Sequence, residues 1–226
     1  MNRILILLLT IVSFQANAQI NELGIFAGGS NYIGDIGPTT YIAPKDLALG
    51  VIYKWNRSPR HAYRASFTYA KISSKDSDSD VPGRKQRGLE FENTVKELSV
   101  GMEFNFFDFN LHEPDFKITP YVHTGISYFW YDDKYFNNGI VQTNDTKGTL
   151  AIPMTVGIKS NILENFILGF EVGTRYCFTD NLDGTNPEGD TGEILSFGNK
   201  NSKDWYVFTG FTLTYTFGVK PCYCSE

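Results

Sequence analysis

Apolar and polar residues alternate with a period of two along eight segments of the chain, most of them ten or more residues long. A helix cannot use such a pattern, because its faces repeat every 3.6 residues, whereas a strand puts successive side chains on opposite faces. The clearest segment is Lys96 to Phe106, with Leu98, Val100, Met102, Phe104 and Phe106 on one face and Glu97, Ser99, Gly101, Glu103 and Asn105 on the other. Segments Asp46–Asn56, Arg60–Ile72, Phe116–Tyr131, Thr149–Ser160, Asn165–Phe178 and Asp204–Phe217 read the same way, and Glu22–Ser30 more weakly. The aromatic content of 15%, with 18 Phe, 13 Tyr and 21 Gly, fits strands and tight turns.

The sense of the alternation separates two kinds of barrel. The apolar face carries aliphatics in mid-strand and aromatics at both ends. Tyr53, Trp55, Tyr63, Phe104, Phe106, Tyr215 and Phe217 form one group, and Tyr69, Tyr128, Trp130, Tyr176 and Trp205 the other. An apolar band between two aromatic girdles is the outer wall of a membrane barrel. A soluble lipocalin-type barrel would expose the polar face to water, but it gives no reason for aromatics at both strand ends. The expectation is an all-β, eight-stranded, antiparallel transmembrane barrel over residues 19–218, with a polar-filled interior. Lys54, Arg64, Glu97, Glu103, Lys159, Glu171 and Arg175 then face inward, where charges need partners.

The compartment follows from the first residues. Arg3, the apolar run Ile4–Phe14 and the small-x-small triplet Ala16-Asn17-Ala18 form a secretory signal peptide over residues 1–18. No Cys follows the cleavage site, so no lipid anchor is expected. No other stretch approaches the roughly 18 apolar residues of a membrane-spanning helix. The short connections Asn56–Pro59, Phe107–Asp115 and Asn161–Glu164 alternate with the longer polar ones Asn31–Lys45, Ser73–Thr94, Tyr131–Gly148 and Thr179–Lys203. Short turns belong to the periplasmic side and long loops to the outside, so both termini are expected in the periplasm.

Little in the sequence argues for chemistry. A net charge of −5 gives no basic face for nucleic acid. The three histidines, His61, His112 and His123, show no spacing with a nucleophile that defends a catalytic triad. Asp76, Asp78 and Asp80 occupy every second position of one loop, but Val81 stands where a calcium loop needs its turn glycine. Arg84, Lys85 and Arg87 follow, so the loop can also pair with itself. No catalytic residue, metal, cofactor or small-molecule substrate is expected. The tail 219–226 holds Cys222 and Cys224, whose spacing strains a mutual disulfide. In an oxidising compartment they are either free thiols or partners for another molecule.

Several segments together resemble a known family. They are Asn21-Glu22-Leu23-Gly24, Gly28 through Gly37, Tyr53 through Arg60, Glu97 through Phe106, Thr119-Pro120-Tyr121, the Arg175 to Asp183 stretch and Lys220-Pro221-Cys222-Tyr223-Cys224. In this order they resemble the PorG-like outer-membrane barrel subunit of the Bacteroidetes type IX secretion system. The resemblance implies a non-enzymatic subunit that anchors or organises a periplasmic ring of a lipoprotein and its partner. The machine it belongs to exports proteins and, in gliding species, surface adhesins. It also implies a partner surface on the periplasmic side, at Asn56, Arg57, Ser58, Pro59 and Arg60, at Asp108 through Glu113 including His112, and at Cys222 and Cys224. The alternative is a generic small outer-membrane barrel, either a narrow pore or an adhesion or stability protein.

Overall fold

The structure is a computed structural model that describes residues 20–111, 115–187, 194–199 and 202–218. The signal peptide, His112 and the Cys222–Cys224 tail lie outside the described residues. Eight strands run β1 (Ile20–Ile33), β2 (Asp46–Asn56), β3 (His61–Lys75), β4 (Glu90–Asn105), β5 (Ile118–Asn137), β6 (Ile140–Leu163), β7 (Phe166–Cys177) and β8 (Trp205–Phe217). Each pairs antiparallel with its sequence neighbours, and β1 pairs with β8 to close the barrel. One rim carries both ends of the barrel and the β2–β3, β4–β5 and β6–β7 connections (the terminal rim). The other carries the remaining four connections (the loop rim).

The wall faces outward with its apolar side. Leu23, Ile25, Val51, Val100, Met102 and Phe211 are about half exposed or more, and their inward neighbours are buried. A protein surrounded by water does not leave such a band uncovered on every strand. A closed barrel with an apolar outside leaves no unpaired edge in hydrocarbon, which is what a bilayer requires of a sheet. The girdles are present as ring contacts. Trp55–Tyr63 (5.4 Å) and Phe166–Tyr215 (5.3 Å) lie at the terminal rim, Tyr128–Trp130 (5.0 Å) and Tyr176–Trp205 (5.1 Å) at the loop rim.

Three local features depart from the sequence expectations. First, β1 is fourteen residues long rather than a short, weak strand. Its alternation is faint because inward positions 24 and 28 are glycines, which leave no side chain to read. Second, Tyr131–Gly148 is not a loop: β5 and β6 stay paired, with one bulge between Asp133 and Lys134, up to a turn at Asn138-Gly139 with φ of 51° and 78°. Both central residues are left-handed, as a two-residue hairpin turn matching the strand twist requires. Gly139→Val is therefore expected to loosen the hairpin tip by roughly 1–2 kcal/mol, read as faster amide exchange at Phe136 and Val141 with the rest of the barrel unchanged.

Third, the interior is polar only in part. At the terminal half it holds charges. Toward the loop rim it is apolar and aromatic, built from Phe26, Ile52, Ile72, Phe91, Phe129, Tyr131, Tyr206 and Phe208. Phe129 packs against Tyr206 at 5.4 Å, and Tyr206 against Phe208 at 5.2 Å. The physical reason is depth: an enclosed layer of eight strands is too narrow to hold water, so it must be filled by side chains, and paired charges fill only part of it.

Candidate functional site

The seven inward charges predicted from the strand pattern form two ion-paired groups. Glu103 is the hub of the larger, with the Lys54 ammonium 2.8 Å and the Lys159 ammonium 2.5 Å from its oxygens and Arg64 at 3.8 Å. Arg64 turns its fork onto Glu171, with both N–H···O contacts at 2.7 Å, and Tyr121 donates its hydroxyl to the same carboxylate at 2.5 Å. One step toward the loop rim, Arg175 pairs with Glu97 at 3.2 Å, and Tyr206 donates to Glu97 at 2.5 Å. The Arg175 guanidinium also lies 4.2 Å from the centre of the Phe208 ring, which joins the charged layer to the aromatic one. The structure thus places Lys54, Arg64, Glu97, Glu103, Lys159, Glu171 and Arg175 inside the barrel, all at least nine-tenths buried.

An eighth member was missed by sequence reasoning. Glu22 is fully buried, accepts from Asn56 Nδ2 at 2.8 Å and from the Thr214 hydroxyl at 2.7 Å. It balances the layer at four bases and four acids. Its signal was its phase, opposite to Leu23 and Ile25, but the glycines of β1 blurred it.

The terminal rim is closed by its own connections. Asn56 is turned inward onto Glu22 and is buried. The Ser58 hydroxyl accepts from the N–H groups of Arg60 and His61, and Pro59 supplies its carbonyl to Asn105 and to the Phe109 N–H. Phe109 is tucked into the mouth, with the Lys159 ammonium 5.0 Å from its ring centre. Of the five residues Asn56–Arg60, Arg57 and Arg60 are the exposed ones. Arg57 lies over Trp55, and Arg60 pairs with Asp108 at 2.5 Å where both are half exposed or more.

The loop rim is capped by a segment with one buried aspartate. Asp76, in a single 3-10 turn at Asp76–Asp78, has no exposed surface and accepts from the N–H groups of Gly37 and Leu89 and from Arg87 at 2.7 Å. Arg87 closes a short helix, α1 (Pro82–Arg87), and also donates to the Asp35 carbonyl. Burial opposes the Asp76 charge, but the Arg87 bonds and the two amide donors outweigh it and hold the carboxyl below its ordinary value. Asp78 pairs with Lys45 at 2.7 Å. These aspartates are therefore spent on cations of the same rim, and among the described residues no three His, Cys, Asp or Glu side chains converge as metal ligands.

An acidic pair lies beneath that cap. The Tyr32 hydroxyl sits between Asp183, at 2.8 Å, and Asp204. Asp204 also accepts from the Leu182 N–H, and Asp183 from the Thr185 N–H and hydroxyl. Burial pushes Asp183 up to about 6 against the pull of its Thr185 and Tyr32 bonds. Burial and then the neighbouring charge of Asp183 push Asp204 well above its ordinary value.

Among the described residues, the histidines and the cysteine form no nucleophile–base–orienter arrangement. His61 contacts the Ser58 hydroxyl at 3.2 Å as part of an exposed turn, and Nε2 of the buried His123 has no hydrogen-bond partner. Cys177 is buried and free.

Solved structures of several small barrels are similar to this one. The attachment invasion locus protein Ail of Yersinia pestis, in complex with the heparin analogue sucrose octasulfate, has a TM-score of 0.49 at 10% identity, over 88% of this chain and 99% of Ail. The outer membrane protein AlkL gives 0.48 at 14% identity, over 95% of this chain and 96% of AlkL. The outer membrane protein OprG of Pseudomonas aeruginosa gives 0.46 at 9% identity, over 89% and 97%. No curated protein matches the chain in sequence. A family model does, over residues 2–226, and the chain belongs to that family, described as Domain of unknown function (DUF6089).

Proposed function

We propose that this protein is a non-enzymatic outer-membrane barrel that acts through its rims and wall rather than through its lumen, with both termini in the periplasm. The observation that carries the reading is the filled interior. The Glu103 network blocks the terminal half, the Phe129–Tyr206–Phe208 layer blocks the loop half, and Phe109 covers the terminal mouth. Among the alternatives for a small barrel, this favours an adhesion or stability protein over a pore. Reconstituted in planar bilayers, the purified barrel is expected to give no steady single-channel conductance. Stepwise openings at neutral pH would overturn the reading in favour of a narrow pore.

A second, finer reading is that the barrel serves the type IX secretion machine as an anchor for a periplasmic lipoprotein-containing ring. The order of the matching sequence segments supports it, and so does the terminal rim, where Arg57, Arg60, Asp108, Asp115 and Glu164 are exposed charged side chains. The test is a gentle pull-down of tagged protein from outer membranes, with and without reductant, beside a Cys222→Ser/Cys224→Ser variant. Ring proteins co-purifying in constant proportion support the machine assignment. A barrel that comes down alone under every condition removes it and leaves the stability or adhesion reading.

A further inference from the structure

Two residues of the outer wall are covered, although their neighbours face the bilayer. Asn31 on β1 and Val207 on β8 are register partners on the outward face, yet they are 3% and 2% exposed. The connection between β1 and β2 folds down over them as a strap. Asn31 Nδ2 donates to the carbonyls of Thr40 (3.3 Å) and Tyr41 (3.2 Å), and Asn31 Oδ1 accepts from the Ala43 N–H at 3.3 Å. Pro44 seats on Gly29, where a Cβ would lie 2.5 Å from the proline ring, so only glycine leaves the strap room. Three side-chain bonds and a glycine seat hold this segment in one place. Its apolar side chains Tyr41 and Ile42 remain 75% and 57% exposed.

Beside the strap, the wall is floored by small side chains, among them Val156, Val172 and Thr174, and flanked by Trp205. Strap and wall together enclose a groove of about 670 Å³. We infer that this groove is a binding site for one acyl chain of a membrane lipid. The inference deepens the outer-membrane barrel reading and rests on it. The groove opens on the apolar belt, where hydrocarbon is the solvent, and its lining is almost wholly apolar. A chain lying in it is gripped by two walls at once. Elsewhere on the barrel a lipid meets one convex surface and exchanges freely.

Trp205 borders the groove, whereas Trp130, in the same girdle, lies outside it beside a smaller depression of about 280 Å³ lined by Lys96, Asp132 and Thr146. Two reporters follow. Trp55→Phe/Trp130→Phe leaves Trp205 as the sole indole, and Trp55→Phe/Trp205→Phe leaves Trp130. Each is reconstituted in dioleoylphosphatidylcholine vesicles doped with increasing fractions of phosphatidylcholine brominated along its chains. Trp205 is expected to lose half its fluorescence at a brominated fraction several-fold below that needed for Trp130. Adding Val156→Phe and Val172→Phe, which fill the groove with apolar bulk on a lipid-facing surface, should bring Trp205 into line with Trp130. Equal sensitivity of the two reporters, or an excess that survives the filled groove, overturns the acyl site. A Trp205 that is shielded relative to Trp130 also overturns it, and points to a protein segment in the groove. If neither indole responds, the membrane reading itself fails.

Discussion

Replacing Glu103 with alanine is expected to cost the barrel about 3–5 kcal/mol, as expected when one partner of a buried charge cluster is removed. A domain's whole stability is of the order of 5–15 kcal/mol, so much of the protein should fail to reach the folded form. The reason is geometric. Lys54 and Lys159 converge on this one carboxylate at 2.8 and 2.5 Å, and both side chains have almost no contact with solvent. Without Glu103 two ammonium groups stand side by side in an enclosed layer. Arg64 is hurt less, since Glu171 holds both arms of its guanidinium. Unfolding in urea, followed by the mobility difference between folded and heated barrel on gels, measures the loss. Arg60→Ala provides the contrast, because its pair with Asp108 is half exposed or more and such pairs are worth about 0–1 kcal/mol. The combination Lys54→Met, Glu103→Leu and Lys159→Met should recover most of the stability, because an apolar cluster of similar volume carries no desolvation cost. If Glu103→Ala unfolds at the same urea concentration as the parent, the network is not what fills and fixes the lumen.

How much of this was legible in the sequence depended on contrast between the two faces of each strand. Strand β2 was read to its last residue, Asp46–Asn56, because every outward position is apolar and the inward ones are small, polar or Ile52. The seven inward charges were legible by the same contrast. Where both faces meet similar surroundings, the period of two vanishes. In Trp205-Tyr206-Val207-Phe208 both faces are apolar, since the lumen at that level is aromatic, and the inward role of Tyr206 and Phe208 was invisible. On the β6 arm of the hairpin above the rim both faces are largely exposed, and Tyr131–Gly148 looks like a polar loop. There only Asn138-Gly139, a turn dipeptide, carries a signal. Asn56 is in phase with Lys54 and Ile52, so its inward side chain is legible from the strand pattern. Long-range pairings such as Arg64 with Glu171, or Asp76 with Arg87 across a loop, depend on closure of the ring and on loop folding, which local pattern does not encode.

The Tyr32 bridge makes the loop rim sensitive to pH in a direction that can be derived. Its hydroxyl has one proton to give, yet it contacts a carboxylate on each side. Both contacts are hydrogen bonds only when one of the two acids, Asp183 or Asp204, holds a proton and donates it to the tyrosine oxygen. Both groups have folded-state values raised above the ordinary aspartate value of 3.8, Asp183 to about 6. A raised value means the protonated form favours the folded state. The contribution is therefore complete below the ordinary value and is lost as pH rises from there through about 6. The amide nearest the bridge, Leu182 N–H on Asp204, reports it: its exchange, corrected for intrinsic rate, should quicken between pH 4 and 7 by more than that of barrel-wall amides such as Val100. Asp204→Asn should remove most of this dependence. Its side-chain nitrogen can donate to the Tyr32 oxygen, its oxygen can still accept from Leu182, and Tyr32 is left free to donate to an ionised Asp183. The cap of that variant should then be tighter than the parent's at neutral pH and alike at pH 4. A parent cap that tightens as pH rises would mean that both carboxylates stay ionised and that some cation, rather than a shared proton, holds them together.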